Sequence, residues 1–301
     1  MKWKKVIAVL TKASRFRLRS SAFIRAEEEN QIEPKKALFL SVEGDETERN
    51  YFEHLQRYID ISGYNSLIHI EILRHKRGDG YSSPEQVVEL LNEYVNIRHG
   101  ELIPEGLPET FTNEYTRDMI KSYLEDPHSF SKAERNKIND DLMKIGIDLE
   151  YRKYLKMFDQ DSDCFAVILD RDCGNHSRQL MIECIEICKE RGYGCYISNP
   201  CFEFWLLLHL CDVKLEYADR LTELLINKKI SKRHTYVSNE VSQRAHHNKQ
   251  INANVFLEKY LPQIPQAINN SKGFALDLEE ILDELGSNLS ELFQIIGYDG
   301  A

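Results

Sequence analysis

The segment KKALFLSVEGDETERNYFEHL (35–55) decides the fold class of the chain. Its first half is a continuous apolar run that ends at Gly44, which predicts a strand buried on both faces of a sheet. Its second half carries aromatic and aliphatic residues at helical spacing, and Asp45 with Glu48 three residues later forms a variant of the capping box. A buried strand followed at once by an amphipathic helix predicts a βα unit of a parallel sheet.

The βα alternation continues along the chain. Three more segments have the composition of buried strands, namely SLIHIEIL (66–73), DCFAVILD (163–170) and YGCYISN (193–199). Helices are predicted over 82–97, where Ser83 is a cap and Pro84 takes the first helical position, and over 177–192, which ends at Gly192. The sequence therefore predicts an α/β fold with a parallel sheet and helices on both faces.

The pattern divides the chain into a core and additions. The predicted parts are a basic N-terminal arm (1–34), the first half of the core (35–98), a polar insertion (99–157), the second half of the core (158–212) and a mostly helical C-terminal region (213–301). The last of these ends in two short helices broken at Gly286. The arm has eight lysines and arginines and no acid in its first 25 residues, so it is either a solvated tail or an arm that contacts phosphate.

Composition limits the classes of function. The net charge of −10 argues against a general nucleic-acid coat protein, although a local basic groove remains compatible with it. All seven cysteines lie between residues 164 and 211 without a CxxC pair, which predicts small buried side chains in a reducing compartment and not a zinc site. No segment is long enough to span a membrane, and VIAVL (6–10) is too short for a secretion signal. We therefore expect a cytoplasmic protein that is not attached to a membrane.

Two predicted strands end in acids. Glu43 stands at the end of the first strand, Asp170 at the end of the third, and Asp172 two residues further on. The carboxyl ends of parallel strands share one edge of a sheet, so these three carboxylates are expected to converge there. Like charges at close range repel, and a divalent cation such as Mg²⁺, or Mn²⁺ in its place, would compensate them. The sequence thus predicts a metal site that acts on phosphate esters.

A fourth acid lies in the segment SNPCFEFWLLLHL (198–210). With Asn199 as cap and Pro200 as first helical residue, Glu203 falls in the first turn of a helix, where the helix dipole stabilises a carboxylate. This placement alone explains the acid. The alternative is that Glu203 is a fourth catalytic acid, or a base, at the same edge of the sheet.

Basic side chains that suit nucleic-acid phosphates occur in two places. The tract 228–249 supplies most of the candidates, which are Lys232, Arg233, His234 and Lys249. Arg171, between the two aspartates, either contacts phosphate or balances their charge, and His176 is either a substrate contact or an ordinary loop histidine. A solvated, charged loop is the competing explanation for the tract.

Three segments carry a family resemblance. VEGDETERNYFEHL (42–55), VILDRDCGN (167–175) and SNPCFEFWLLLH (198–209) resemble, in order, the signature blocks of the RloB-like family of bacterial Toprim-domain proteins from restriction-associated and anti-phage loci. The resemblance implies a Toprim-type fold and an Mg²⁺-dependent endonuclease in which Glu43, Asp170 and Asp172 hold the metal. It also implies an RloA-like ATPase partner and an effector role in abortive infection. The substrate (DNA or RNA, tRNA included) and the oligomeric state, including a homo-oligomer, stay open.

Two other classes of function compete with the nuclease. VILDRDCGN also resembles the first motif of haloacid-dehalogenase-like phosphatases, with Asp170 as nucleophile and Asp172 as acid and base. Gly174 replaces the usual threonine or valine of that motif, and a strand ending in Glu43 precedes it, which is unusual for that class. The remaining alternative is a non-catalytic module that docks onto an ATPase partner.

Overall fold

A five-stranded sheet forms the centre of the part of the chain that the structure describes. The computed structural model describes residues 36–44, 46–62, 68–73, 83–100, 103, 107–145, 147, 163–246 and 250–297, so the basic arm, Asp45 and Lys249 lie outside it. The strands are β1 (Lys36–Val42), β2 (Ile68–Ile72), β3 (Cys164–Asp170), β4 (Gly194–Asn199) and β5 (Gly286–Ser287). Their order is β2-β1-β3-β4-β5, and only β5 is antiparallel to its neighbour. The predicted parallel sheet is confirmed.

Helices cover both faces of this sheet. The α-helices are α1 (Thr47–Ser62), α2 (Pro84–His99), α3 (Glu109–Thr112), α4 (Arg117–Glu125), α5 (Lys132–Lys144), α6 (Arg178–Arg191), α7 (Phe202–Leu210), α8 (Val213–Glu216), α9 (Leu221–Ile226), α10 (Tyr236–Ala245), α11 (Ala253–Val255), α12 (Ile264–Ser271), α13 (Leu278–Ile281) and α14 (Leu289–Ile295). A π-helical turn (Phe256–Tyr260) and 3₁₀ turns (Pro127–Ser129 and Leu261–Gln263) join some of them. None of the helices within the described residues has both the length and the apolar character needed to cross a bilayer.

Alternating residues of β1 supply two separate hydrophobic layers. Leu38, Leu40 and Val42 pack with α1, α7 and C-terminal helices, whereas Ala37 and Phe39 pack with α2 and α6 on the opposite face. All of these side chains are nearly inaccessible to solvent. A central strand buried on both faces explains the continuous apolar run that opens the core sequence.

The predicted helix ends agree with the structure where it describes them. The Ser83 amide donates to Gln86 Oε1 at 3.3 Å, and Pro84 is the first residue of α2. Ser177 Oγ accepts from the Leu180 amide at 3.1 Å at the start of α6. Gly192 ends this helix with a positive φ of 72°, a conformation that glycine adopts without steric cost.

The insertion has a hydrophobic cluster of its own, which its polar composition did not predict. Helices α3, α4 and α5 surround this cluster, whose buried members are Ile103, Phe111, Tyr115, Ile120, Tyr123, Ile138, Leu142 and Ile147. The apolar residues are sparse in the sequence, but helical spacing brings them to one side.

The C-terminal region differs from prediction at Gly286. This residue does not simply separate two helices but lies in β5, paired with Asn199 of β4. A β-carbon at residue 286 would collide with the backbone of Ala275, so a side chain does not fit there. The short strand adds an edge to the sheet beside the end of β4.

Candidate functional site

The carboxyl ends of β1 and β3 bring two predicted acids into direct contact. The Glu43 amide donates to the Ile168 carbonyl at 3.3 Å, which continues the pairing of β1 and β3 by one residue. The Glu43 carboxylate then accepts the Asp170 amide at 3.0 Å through Oε2. The predicted convergence of Glu43 and Asp170 at one edge of the sheet is therefore present in the structure.

The segment just after β4 forms hydrogen bonds with both aspartates at this edge of the sheet. Asp170 Oδ1 accepts the Phe202 amide at 2.8 Å, so this carboxylate lies at the amino terminus of α7. The amide of Asp172 donates to the Pro200 carbonyl at 2.9 Å. Asp172 Oδ2 accepts from Asn175 Nδ2 at 2.6 Å, and its backbone has a positive φ of 27°. Hydrogen bonds from neighbouring segments thus fix both aspartates.

Glu203 lies in the first turn of α7, as predicted, but the predicted cap is wrong. The helix begins at Phe202 with Cys201 as its cap. Asn199 is the last residue of β4, and its side chain donates to the Ile281 carbonyl at 2.6 Å instead of capping the helix. Asn199 does not cap the helix because it is still paired in β4 and its side chain binds the C-terminal region.

Burial and neighbouring negative charges raise the pKa values of Glu43 and Asp170 at this edge. Burial raises the pKa of Glu43 from 4.5 to about 8, and the charges of Glu48 and Asp172 add to the effect, while the Asp170 amide opposes it. Burial also raises the pKa of Asp170 well above its usual range, with further contributions from Glu48, Glu43 and Glu203. Glu48, Asp172 and Glu203 thus form one cluster of acids with Glu43 and Asp170, and the surrounding negative charges disfavour ionisation of these two central groups.

Glu48 is a member of this cluster that sequence reasoning missed. Its place in the first turn of α1 gave it a sufficient explanation as a helix-start acid, and only the fold shows that this turn faces the acids of β1 and β3. Glu48 is 6% exposed. A β-carbon on Gly44 would collide with the Glu48 carboxylate, so the glycine permits this close approach. The sequence carries no signal that identifies it, because the spacing of Glu43 and Glu48 does not give the direction in which the first turn of α1 faces.

The cluster offers carboxylate oxygens as metal ligands, but the described residues do not form a complete coordination shell. Among the residues that the structure describes, no three His, Cys, Asp or Glu side chains are arranged to hold a metal ion. The donor chemistry nevertheless suits a hard cation, since carboxylate oxygens are the ligands that Mg²⁺ prefers. Repulsion among the acids also gives a divalent cation a clear electrostatic benefit.

The Arg171 side chain is buried and donates hydrogen bonds to two backbone carbonyls. Its buried side chain donates from Nε to the Leu282 carbonyl at 2.7 Å and from Nη1 to the His176 carbonyl at 2.8 Å. These bonds direct the guanidinium toward Leu282 in the C-terminal region and toward the loop that contains His176. These bonds to backbone carbonyls support the loop around the aspartates, while the phosphate contact and the charge balance expected of Arg171 stay predictions.

The remaining basic candidates lie on an exposed turn. Lys232 and Arg233 are exposed and His234 is half-buried, between Lys229 and Thr235, which form a β-bridge. Asn227, just before the turn, donates through Nδ2 to Cys201 Sγ at 3.5 Å. The basic turn is thus connected to the residue that caps α7, although the fourth candidate, Lys249, lies outside the described residues.

The sheet order, with acids at the carboxyl ends of β1 and β3, defines an α/β protein with a Toprim-like fold. The family model for the RloB-like protein matches residues 38–296, nearly the whole chain, so the chain belongs to the RloB-like family. This match confirms the resemblance of the three sequence segments. No curated protein and no solved structure matches the chain.

Proposed function

We propose that the protein is an Mg²⁺-dependent nuclease that hydrolyses phosphodiester bonds of DNA or RNA as an effector of an anti-phage defence system. The observation that carries the proposal is the contact between Glu43 and Asp170 at the carboxyl edge of the sheet, where three further acids act on them electrostatically. Structural ion-pair networks balance acids with bases, whereas this cluster is dominated by acids, which favours a site that receives a cation.

In this proposal Glu43, Asp170 and Asp172 hold the cation. When bound, the cation neutralises charge on the phosphate and activates water. The amides of Asp170 and Phe202 hold the carboxylates of Glu43 and Asp170, respectively, at the edge of the sheet. Glu203 and Glu48 lie beside this pair, where either can extend the set of oxygen donors.

The basic turn supports a polyanionic substrate. Residues 224–239 contain no acid although the whole chain is acidic, and Lys228, Lys229, Lys232 and Arg233 are all exposed there. Exposed lysines and arginines bind nucleic-acid backbones through phosphate contacts. Asn227, next to the turn, donates to Cys201 Sγ, and Cys201 directly precedes the helix that carries Glu203.

The decisive experiment compares matched charge changes. Purified protein with Mg²⁺ or Mn²⁺, alone and with an RloA-like ATPase, is incubated with DNA, RNA and tRNA. Asp170→Asn is expected to lower cleavage roughly 1,000-fold, because losing a group that holds the charge-neutralising cation removes several kcal/mol of transition-state stabilisation. Asp219→Asn removes the same charge at a side chain that is 88% exposed, and it should cut normally. Undiminished cutting by a variant with both Asp170→Asn and Asp172→Asn would contradict the site.

A second candidate is a non-catalytic module that works with the ATPase. It is favoured by the lack of a finished metal-binding set among the described residues. It predicts that Asp170→Asn leaves protection of cells against phage intact, whereas the nuclease proposal predicts loss of protection. A phosphoaspartate trapped on Asp170 would instead establish the phosphatase, which membership of the RloB-like family does not support.

A further inference from the structure

His176 closes a ring of contacts around the two central acids. The Asp170 amide donates to Glu43 Oε2 at 3.0 Å, and His176 Nε2 lies 3.6 Å from Glu43 Oε1. His176 Nδ1 lies 3.1 Å from the Asp170 carbonyl oxygen. Because a carbonyl only accepts, Nδ1 carries the hydrogen and Nε2 is the atom that faces Glu43. One carboxylate oxygen of Glu43 therefore accepts the Asp170 amide, the other lies beside the His176 ring, and the same ring donates to the Asp170 carbonyl.

The histidine is itself held from several directions. Its side chain is 9% exposed, its amide donates to the Asp172 carbonyl at 2.9 Å, and its carbonyl accepts from Arg171 Nη1 at 2.8 Å. Arg171 in turn donates to the Leu282 carbonyl. A loop histidine without a role would have little reason to be buried and bonded through both backbone groups and a ring nitrogen.

We propose that His176 is a positioning residue that holds the Glu43 carboxylate in the orientation in which it faces the cation site. The inference rests on the nuclease proposed above, and His176 acts through Glu43 without touching the substrate. The Asp170 amide restrains one oxygen of Glu43. Without His176, Oε1 of Glu43 would lose its contact with the imidazole ring. The carboxylate could then rotate about the single hydrogen bond from the Asp170 amide.

Two substitutions separate the two contacts of the ring. In His176→Asn the amide nitrogen stands near the former Nδ1 and keeps the bond to the Asp170 carbonyl but not the contact with Glu43. In His176→Gln the longer side chain reaches toward Glu43. We expect the asparagine variant to need about 10- to 100-fold more Mg²⁺ for half-maximal cleavage, the range typical of residues that orient a metal ligand, at a similar maximal rate. The glutamine variant should restore most of the Mg²⁺ affinity.

The controls separate positioning from general damage to the fold. His128→Asn makes the same exchange at an exposed histidine and should leave the Mg²⁺ dependence unchanged. If His176→Asn responds to Mg²⁺ as the unaltered protein does, the proposal is overturned. A merely structural role would lower the maximal rate and the melting temperature in both His176 variants without the selective rescue by glutamine.

A thermodynamic cycle tests the contact without any catalysis. The melting temperature is measured for Glu43→Gln, His176→Asn and the double variant in the presence of a chelator. Residues in contact give non-additive shifts, whereas independent sites add. Additive shifts would overturn the inference even if the protein cuts nucleic acid. Non-additive shifts in a protein that neither binds Mn²⁺ nor cuts would uphold the contact and reject the nuclease.

Discussion

The raised pKa of Glu43 predicts that the metal-free protein loses stability as the pH rises. In the unfolded chain Glu43 titrates near 4.5, and in the folded protein near 8. The folded state therefore binds this proton more tightly, so stability falls between pH 4.5 and 8 as the unfolded chain gives up the proton first. At about 1.4 kcal/mol per pH unit, the difference amounts to about 5 kcal/mol by pH 8.

Glu43→Gln removes the titrating carboxyl group, so its comparison with the unaltered protein measures how much of the pH dependence of stability comes from Glu43. The free energy of unfolding is measured with urea at pH 5, 6, 7 and 8 in the presence of a chelator. The unaltered protein should lose several kcal/mol across this range, and the glutamine variant should show a much flatter profile, because Asp170 also loses a charged neighbour. Glu125→Gln, at an exposed position of α4, serves as the control and should follow the unaltered protein. Equal slopes for Glu43→Gln and the unaltered protein, or stability that increases from pH 5 to 8, would refute the reasoning.

Four further outcomes follow from described contacts. Binding of Mn²⁺ at pH 6.5 should release protons, seen by calorimetry in buffers of different ionisation enthalpy, because the raised carboxyl pKa values must fall when the cation binds. Gly44→Ala should cost about 1 kcal/mol, at the low end of overpacking effects, in urea unfolding, since the added methyl group displaces only the end of the Glu48 side chain. Asn288→Ala should cost roughly 2 kcal/mol or more, because the Ile197 amide and the Cys195 carbonyl lose their side-chain partner. Lys232→Glu combined with Arg233→Glu should weaken nucleic-acid binding and flatten its salt dependence at an unchanged melting temperature; an unchanged salt slope would remove the turn from the binding surface.

Much of the fold could be predicted because its signals are local. The apolar run of β1, the cap at Ser83 and the helix end at Gly192 each depend on a few neighbouring residues. Strand β5 could not be predicted, since Gly286 and Ser287 carry no hydrophobic pattern. This strand exists because it pairs with β4, where the hydroxyls of Ser198 and Ser287 lie 2.9 Å apart.

The positions of the acids that end β1 and β3 could be predicted, because they depend only on where the strands end. Parallel strands bring their carboxyl ends together, so the sequence alone predicts that Glu43 lies close to Asp170. The hydrogen bond from Arg171 to the Leu282 carbonyl could not be predicted, because Leu282 lies 111 residues further along the chain. Glu48 was overlooked because a first-turn acid already has a local explanation, and nothing in the sequence gives the direction in which that turn faces.

The dependence of the site on the C-terminal region also sets an order of events during synthesis. Asn199 and Arg171 are bonded to carbonyls of Ile281 and Leu282, which the ribosome adds 82 and 111 residues later. The acids therefore leave the exit tunnel well before the segment that secures their loops. A nascent chain therefore carries all five acids of the cluster while the segment that binds Asn199 and Arg171 is still missing.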